Sequence, residues 1–116
     1  MSASILVVVE DVATAELLAQ ELAARGLCVA VACNADDARR TAAIACFALA
    51  IIDVRRADFG GLAIASDIRA GSHHRALQMI ALVDVALEAD EGVASIPFAC
   101  EGRRGIADAA ARTAAE

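Results

Sequence analysis

Two stretches of this chain are apolar without interruption, and each runs straight into a carboxylate: Ile5-Leu6-Val7-Val8-Val9 into Glu10-Asp11, and Phe47-Ala48-Leu49-Ala50-Ile51-Ile52 into Asp53. A strand with one face in water alternates apolar with polar residues, so an unbroken run calls for burial on both faces. Both stretches are therefore predicted as central strands of a parallel sheet with helices above and below. Each is followed by a helical pattern, over 14–25 in the first case and over 61–70, opened by Gly60-Gly61, in the second. Glu10 and Asp53 are expected at one rim of the sheet, where buried strands meet solvent, and Asp53 is the leading candidate for chemistry.

Further strand-like runs at 27–33, 77–83 and 95–99 and helix-like segments at 35–46 and 105–115 complete an alternation of strand and helix. Such alternation predicts an α/β architecture with both faces of the sheet covered. Asn34 reads as a helix N-cap, Asp36 and Asp37 suit a helix amino end, and Gly26 suits a carboxyl cap. A length of 116 residues predicts one domain spanning 1–116, able to bury roughly two-thirds of its extended surface. The content is 59% hydrophobic but only 3% aromatic, so the core is built from Ala, Val, Ile and Leu, with closely packed helices.

The net charge of -6 and ten scattered arginines argue against a nucleic-acid partner, which needs a clustered basic surface. There is no lysine, so no ammonium can serve a mechanism here. Cys28, Cys33, Cys46 and Cys100 have neither CxxC spacing nor the density of a disulfide scaffold, and are read as small buried apolar residues. The run 5–9 is too short for a signal-peptide core or a membrane span. The expectation is a cytoplasmic protein with no membrane partner.

In open parallel sheets ligands bind beyond the carboxyl ends of the strands. Two carboxylates meeting there repel unless a cation, a basic side chain or a raised pKa intervenes, and Mg²⁺ is the natural oxygen-liganded guest. The plainer alternative is that Glu10 and Asp53 are polar strand ends in water.

The runs Ile5 to Asp11 and Leu49 to Asp53 and the stretch Gly61-Leu62-Ala63-Ile64-Ala65-Ser66-Asp67-Ile68-Arg69 resemble the response-regulator receiver domain of two-component signalling. So do the intervals of sixteen residues from Glu10 to Gly26 and eight from Asp53 to Gly61. The resemblance covers nearly the whole chain. It implies a doubly wound five-stranded parallel sheet of order 2-1-3-4-5, the flavodoxin-like receiver fold. It also implies that Asp53 accepts a phosphoryl group from a histidine kinase or phosphotransfer protein, with Mg²⁺ neutralising charge. The family holds that metal with two acids after the first strand, the phosphoacceptor, and a main-chain carbonyl two residues on, here Arg55.

Several positions depart from the family pattern. The first acid of the pair falls on Val9 and the second on Glu10, with Asp11 one residue late. The hydroxyl residue of the fourth strand falls on Val83, the switch aromatic on Ile96, the lysine on Ala99, and the following proline on Cys100. A cis bond at Cys100 would cost about 3 kcal/mol, so it is expected to be trans. Pro97 suits an edge strand. Only eight residues separate Val83 from Gly92, so the helix between the fourth and fifth strands is expected to be short or absent.

Valine and alanine at 83 and 99 cannot donate the hydrogen bonds that a hydroxyl and an ammonium would, each worth about 1.5–3 kcal/mol if charge-assisted. Driving a two-state switch from mostly off to mostly on takes about 5.5 kcal/mol. Arg55 or Arg56 could swing over the pocket in place of the lysine, but both are read first as solvated loop residues. His73-His74 and Arg103-Arg104 also read as solvated loop.

Two functions follow: a single-domain response regulator phosphorylated on Asp53, or a phosphorylation-independent pseudo-receiver that binds another signalling protein, with a homodimer also admitted. An aspartyl-nucleophile phosphatase or dehalogenase is set aside, because such enzymes look for a second acid where Arg55 stands. Dinucleotide binding lacks a Gly-rich turn after the first strand. No enzymatic activity is expected beyond self-phosphorylation and dephosphorylation at Asp53.

Overall fold

The computed structural model describes residues 4–55, 58–70, 77–83 and 93–115, with the backbone alone described at 93–101, 103, 114 and 115. In chain order the elements are β1 (Ser4–Val8), α1 (Val12–Ala23), β2 (Cys28–Ala32), α2 (Ala35–Ile44), β3 (Leu49–Asp53), α3 (Gly61–Ala70), β4 (Gln78–Val83), β5 (Val93–Pro97) and α4 (Phe98–Ala115). The strands form one sheet in the order β2-β1-β3-β4-β5, and every neighbouring pair is parallel. The two unbroken apolar runs supply β1 and β3, each flanked by strands on both sides, as expected.

Side-chain alternation divides the interior into two cores. Ile5, Val7 and Val9 from the β1 segment, Leu49 and Ile51 from β3, and Ile80 and Leu82 from β4 pack under Ala15, Leu18 and Leu22 of α1 and Ile106, Ala107 and Ala110 of α4. The intervening residues Leu6, Val8, Ala50, Ile52 and Met79 face the other way, under Ala38 and Ala42 of α2 and Ile64 and Ile68 of α3. Period-two geometry thus explains why neither run could spare a polar residue. The buried positions of α2 are both alanines, Ala38 and Ala42.

The helix ends follow local chemistry. The Asn34 side chain accepts a 2.8 Å hydrogen bond from the Asp37 amide at the start of α2, with Asp36 and Asp37 in its first turn. Past α1, Gly26 takes φ 80°, and the Leu27 amide donates back to the Leu22 carbonyl at 3.3 Å, the left-handed carboxyl cap that glycine favours.

Three expectations are corrected. Cys28 and Cys46 are exposed and Cys33 is half-buried, because β2 is an edge strand and Cys46 follows the end of α2. The last strand ends at Pro97, so Ala99 and Cys100 lie in a helical turn, not in or just past a strand at 95–99. Arg103 and Arg104 fall within the α4 span, whose course bends at Gly102 (φ 67°, ψ 179°). No cis peptide occurs among the described residues, in keeping with a trans Ala99–Cys100 bond. The shortened helix before β5 falls on 84–92, and this segment, His73-His74 and Arg56 lie outside the described residues.

Candidate functional site

Asp53 ends β3 and pairs across to Leu82 of β4. On the other side the β1–β3 register aligns Val8 with Ile52, so one residue further along the ladder Val9 stands beside Asp53. The expected convergence of the two acidic strand ends on one rim of the sheet therefore holds at the level of the backbone. Burial then separates the residues. Asp53 is only 5% exposed, the one buried polar or charged side chain among the described residues, whereas Glu10 and Asp11 are exposed.

Arg55 departs from its expected place in solvent. Instead of extending outward, it folds back over Asp53. Its backbone amide donates to Asp53 Oδ1 at 3.0 Å, its Nε donates to the same oxygen at 2.9 Å, and its Nη2 donates to Oδ2 at 2.8 Å. The Arg55 side chain is 25% exposed and that of Asp53 is 7% exposed, so the pair is shielded from water. The planar guanidinium matches the carboxylate edge to edge, a geometry no lysine could copy. The contact is set by the turn past the end of β3, in which the Arg55 amide closes back on the Asp53 side chain. The same turn is fixed to β4 by a 3.1 Å bond from the Val54 amide to the Leu82 carbonyl.

Asp11 is the N-cap residue of α1. It accepts a hydrogen bond from the Thr14 hydroxyl, a partner that no sequence motif singles out. That bond above all holds the Asp11 carboxyl below the usual carboxylate range, and the nearby Arg55 guanidinium acts in the same direction.

The positions that depart from the receiver pattern lie as follows. Val9 and Val83 are both buried, at the ends of the β1 and β4 runs. Ile96 pairs with Leu82 within β5, and Ala99 and Cys100 occupy the first turn of α4.

Gly61, the first residue of α3, backs the site from below. A Cβ there would stand 2.1 Å from the Asp53 carbonyl oxygen, so glycine is required by space.

The described residues do not make a divalent-cation site. Both Asp53 oxygens already accept hydrogen bonds from Arg55, and Val9 is apolar where an acid would be needed. Among the described residues no group of three or more His, Cys, Asp or Glu is placed to hold a metal ion. Of the expected set of Glu10, Asp11, Asp53 and the Arg55 carbonyl, the two acids after β1 stand exposed while Asp53 is buried beneath the Arg55 guanidinium.

No family model and no curated protein matches this chain. Solved structures do. The chemotaxis protein CheY4 of Vibrio cholerae shares 18% identity with a TM-score of 0.81, covering 97% of this chain and 99% of that one. A CheY-like response regulator receiver domain from Methanospirillum hungatei shares 17% identity with a TM-score of 0.78, covering 99% and 95%. The receiver domain of a sensor histidine kinase from Pseudomonas aeruginosa, with a magnesium ion coordinated in its active-site cleft, shares 19% identity with a TM-score of 0.73, covering all of both chains. At these identities the likeness establishes the fold, which is that of CheY-like receiver domains.

Proposed function

We propose that this chain serves as a single-domain response-regulator receiver in two-component signalling, with Asp53 accepting a phosphoryl group from a histidine kinase or phosphotransfer protein. The observation that supports this reading most is the burial of Asp53 at the carboxyl end of the central strand of a receiver fold. An isolated carboxylate is expensive to bury, and one retained there with a dedicated counter-ion calls for a use.

In the proposed step an Asp53 carboxylate oxygen attacks the phosphorus of the donor phosphohistidine. The O–P bond forms, the N–P bond breaks, and the imidazole nitrogen leaves with the bonding pair and takes a proton from solvent. Before attack, Arg55 must release one carboxylate oxygen. Giving up a charge-assisted hydrogen bond adds about 1.5–3 kcal/mol to the barrier, so uptake is slower by roughly ten- to a hundredfold than at an open carboxylate. Afterwards the guanidinium donors can turn to the phosphoryl oxygens. No other enzymatic activity is assigned, and the reading is of a cytoplasmic protein. Among the described residues no helix is long and apolar enough to cross a membrane.

A second reading, a pseudo-receiver that binds a signalling partner without phosphorylation, is favoured by the Arg55 fork together with the apolar Val9 and Val83. One experiment separates the two. The protein is incubated with acetyl phosphate, and intact mass is measured for Asp53 and Asp53→Asn forms. A gain of one phosphoryl group that the substitution abolishes supports the first reading. A folded protein that gains nothing, yet binds a kinase or receiver partner equally well in both forms, supports the second.

A further inference from the structure

We infer that Arg55 is the resident counter-cation of the Asp53 pocket and occupies the place a divalent cation would take, so that the folded site is complete without metal. This goes beyond the functional reading above and does not depend on it, because it concerns the charge balance of the resting site and not the arrival of a phosphoryl group.

Three independent features carry the inference. The first is contact. Arg55 meets both oxygens of Asp53 through two guanidinium nitrogens and adds its own amide, leaving no oxygen of that carboxylate without a donor. The second is composition. With no lysine anywhere in the chain, arginine is the one fixed cationic side chain the protein can bring to the site. The third is the character of the neighbouring strand ends. Val9 and Val83 are buried apolar side chains at the ends of neighbouring strands, and neither can bind a metal ion.

The two cations compete for one carboxylate. Three donors from Arg55 fill three of its roughly four lone-pair sites, and the guanidinium charge repels a divalent ion approaching the one left on Oδ2. The guanidinium is tethered two residues away on a turn anchored to β4, so it meets Asp53 as an intramolecular partner, at an effective concentration of millimolar order or above. Removing the guanidinium leaves a buried carboxylate without its counter-charge, at the same rim of the sheet as Glu10 and Asp11.

The test uses thermal unfolding of the wild type, Arg55→Ala and Arg55→Ala/Asp53→Asn, each with and without MgCl₂ and with NaCl at matched ionic strength. The wild-type midpoint is expected to be indifferent to Mg²⁺. Arg55→Ala is expected to unfold several degrees lower, to recover part of that loss when Mg²⁺ is added, and to recover part of it without Mg²⁺ when Asp53 is also replaced. A saturable rise of the wild-type midpoint with Mg²⁺ overturns the inference, as does an Arg55→Ala protein that stays indifferent to the ion. Should Arg55→Ala fail to fold, amide shifts of Asp53 and Arg55 in the wild type during a MgCl₂ titration decide the matter. Unmoved resonances support a resident arginine, and saturable shifts at both residues refute it.

Discussion

Replacing Gly61 by alanine tests whether the site depends on a backbone contact. The new methyl would lie 2.1 Å from the Asp53 carbonyl oxygen, 3.0 Å from the Asp53 carbonyl carbon and 3.1 Å from Val54 Cγ1, whereas real Cβ contacts essentially never fall below 3.0 Å. The nearest obstacle is main chain of the central strand and cannot rotate aside. Either the start of α3 or the end of β3 must retreat by about 1 Å, and interiors resist such shifts at about 1–3 kcal/mol. Against this, alanine removes unfolded-state entropy worth about 0.4–1 kcal/mol. The net expectation is a loss of about 1–2 kcal/mol, which for a domain of this size lowers the thermal midpoint by roughly 4–10 °C.

Urea and thermal unfolding measure that loss, and the Asp53 and Arg55 amide resonances should move with it, since both residues sit on the displaced segment. Gly60 is the control. It has φ 72° and nothing within 4 Å of where a side-chain methyl would stand, so its demand is conformational, and Gly60→Asn should be tolerated far better. A Gly61→Ala protein as stable as the wild type, or more so, refutes the argument that close approach fixes this residue.

Two further outcomes are expected. Thr14→Val removes the hydroxyl that chiefly depresses the Asp11 pKa, so the Asp11 carboxyl should titrate closer to its ordinary range when followed by NMR. A carboxyl depressed on folding stabilises above its unfolded pKa and loses that contribution as pH falls through the folded value. The wild type should therefore lose this contribution on acidification and the variant should show less of it. Val83→Thr places a hydroxyl in a buried apolar position, costing about 1–3 kcal/mol of stability where no partner accepts it. It should nevertheless lengthen the lifetime of any phosphorylated form detected by mass, and an unchanged lifetime would remove Val83 from the account.

The fold is legible wherever a physical rule acts along the chain. The unbroken apolar runs locate β1 and β3 because burial on both faces leaves no room for polar residues. Asn34 and Gly26 mark helix ends because unsatisfied backbone groups select those side chains. The strand order comes with the family resemblance and matches the observed sheet. Interactions set by a local turn are harder to read. Arg55 looks like a solvated residue in the sequence, since no periodicity signals a side chain folding back over its neighbour but one. Residue type alone points the cysteines to the interior, although exposure depends on where a strand lies in the sheet, and β2 lies at the edge. The first turn of α4 is hidden because Phe98-Ala99-Cys100 continues the apolar character of β5 as far as Glu101.

The parity of β3 gives any signal in this domain a side. Leu49 and Ile51 belong to the layer beneath α1 and α4, and Asp53 follows them on the same side of the ribbon, whereas Ala50 and Ile52 belong to the layer beneath α2 and α3. The sheet acts as a partition between two half-molecules. The Asp53 side chain thus stands over the half that carries α1 and α4, while its main chain leans on the start of α3 in the other.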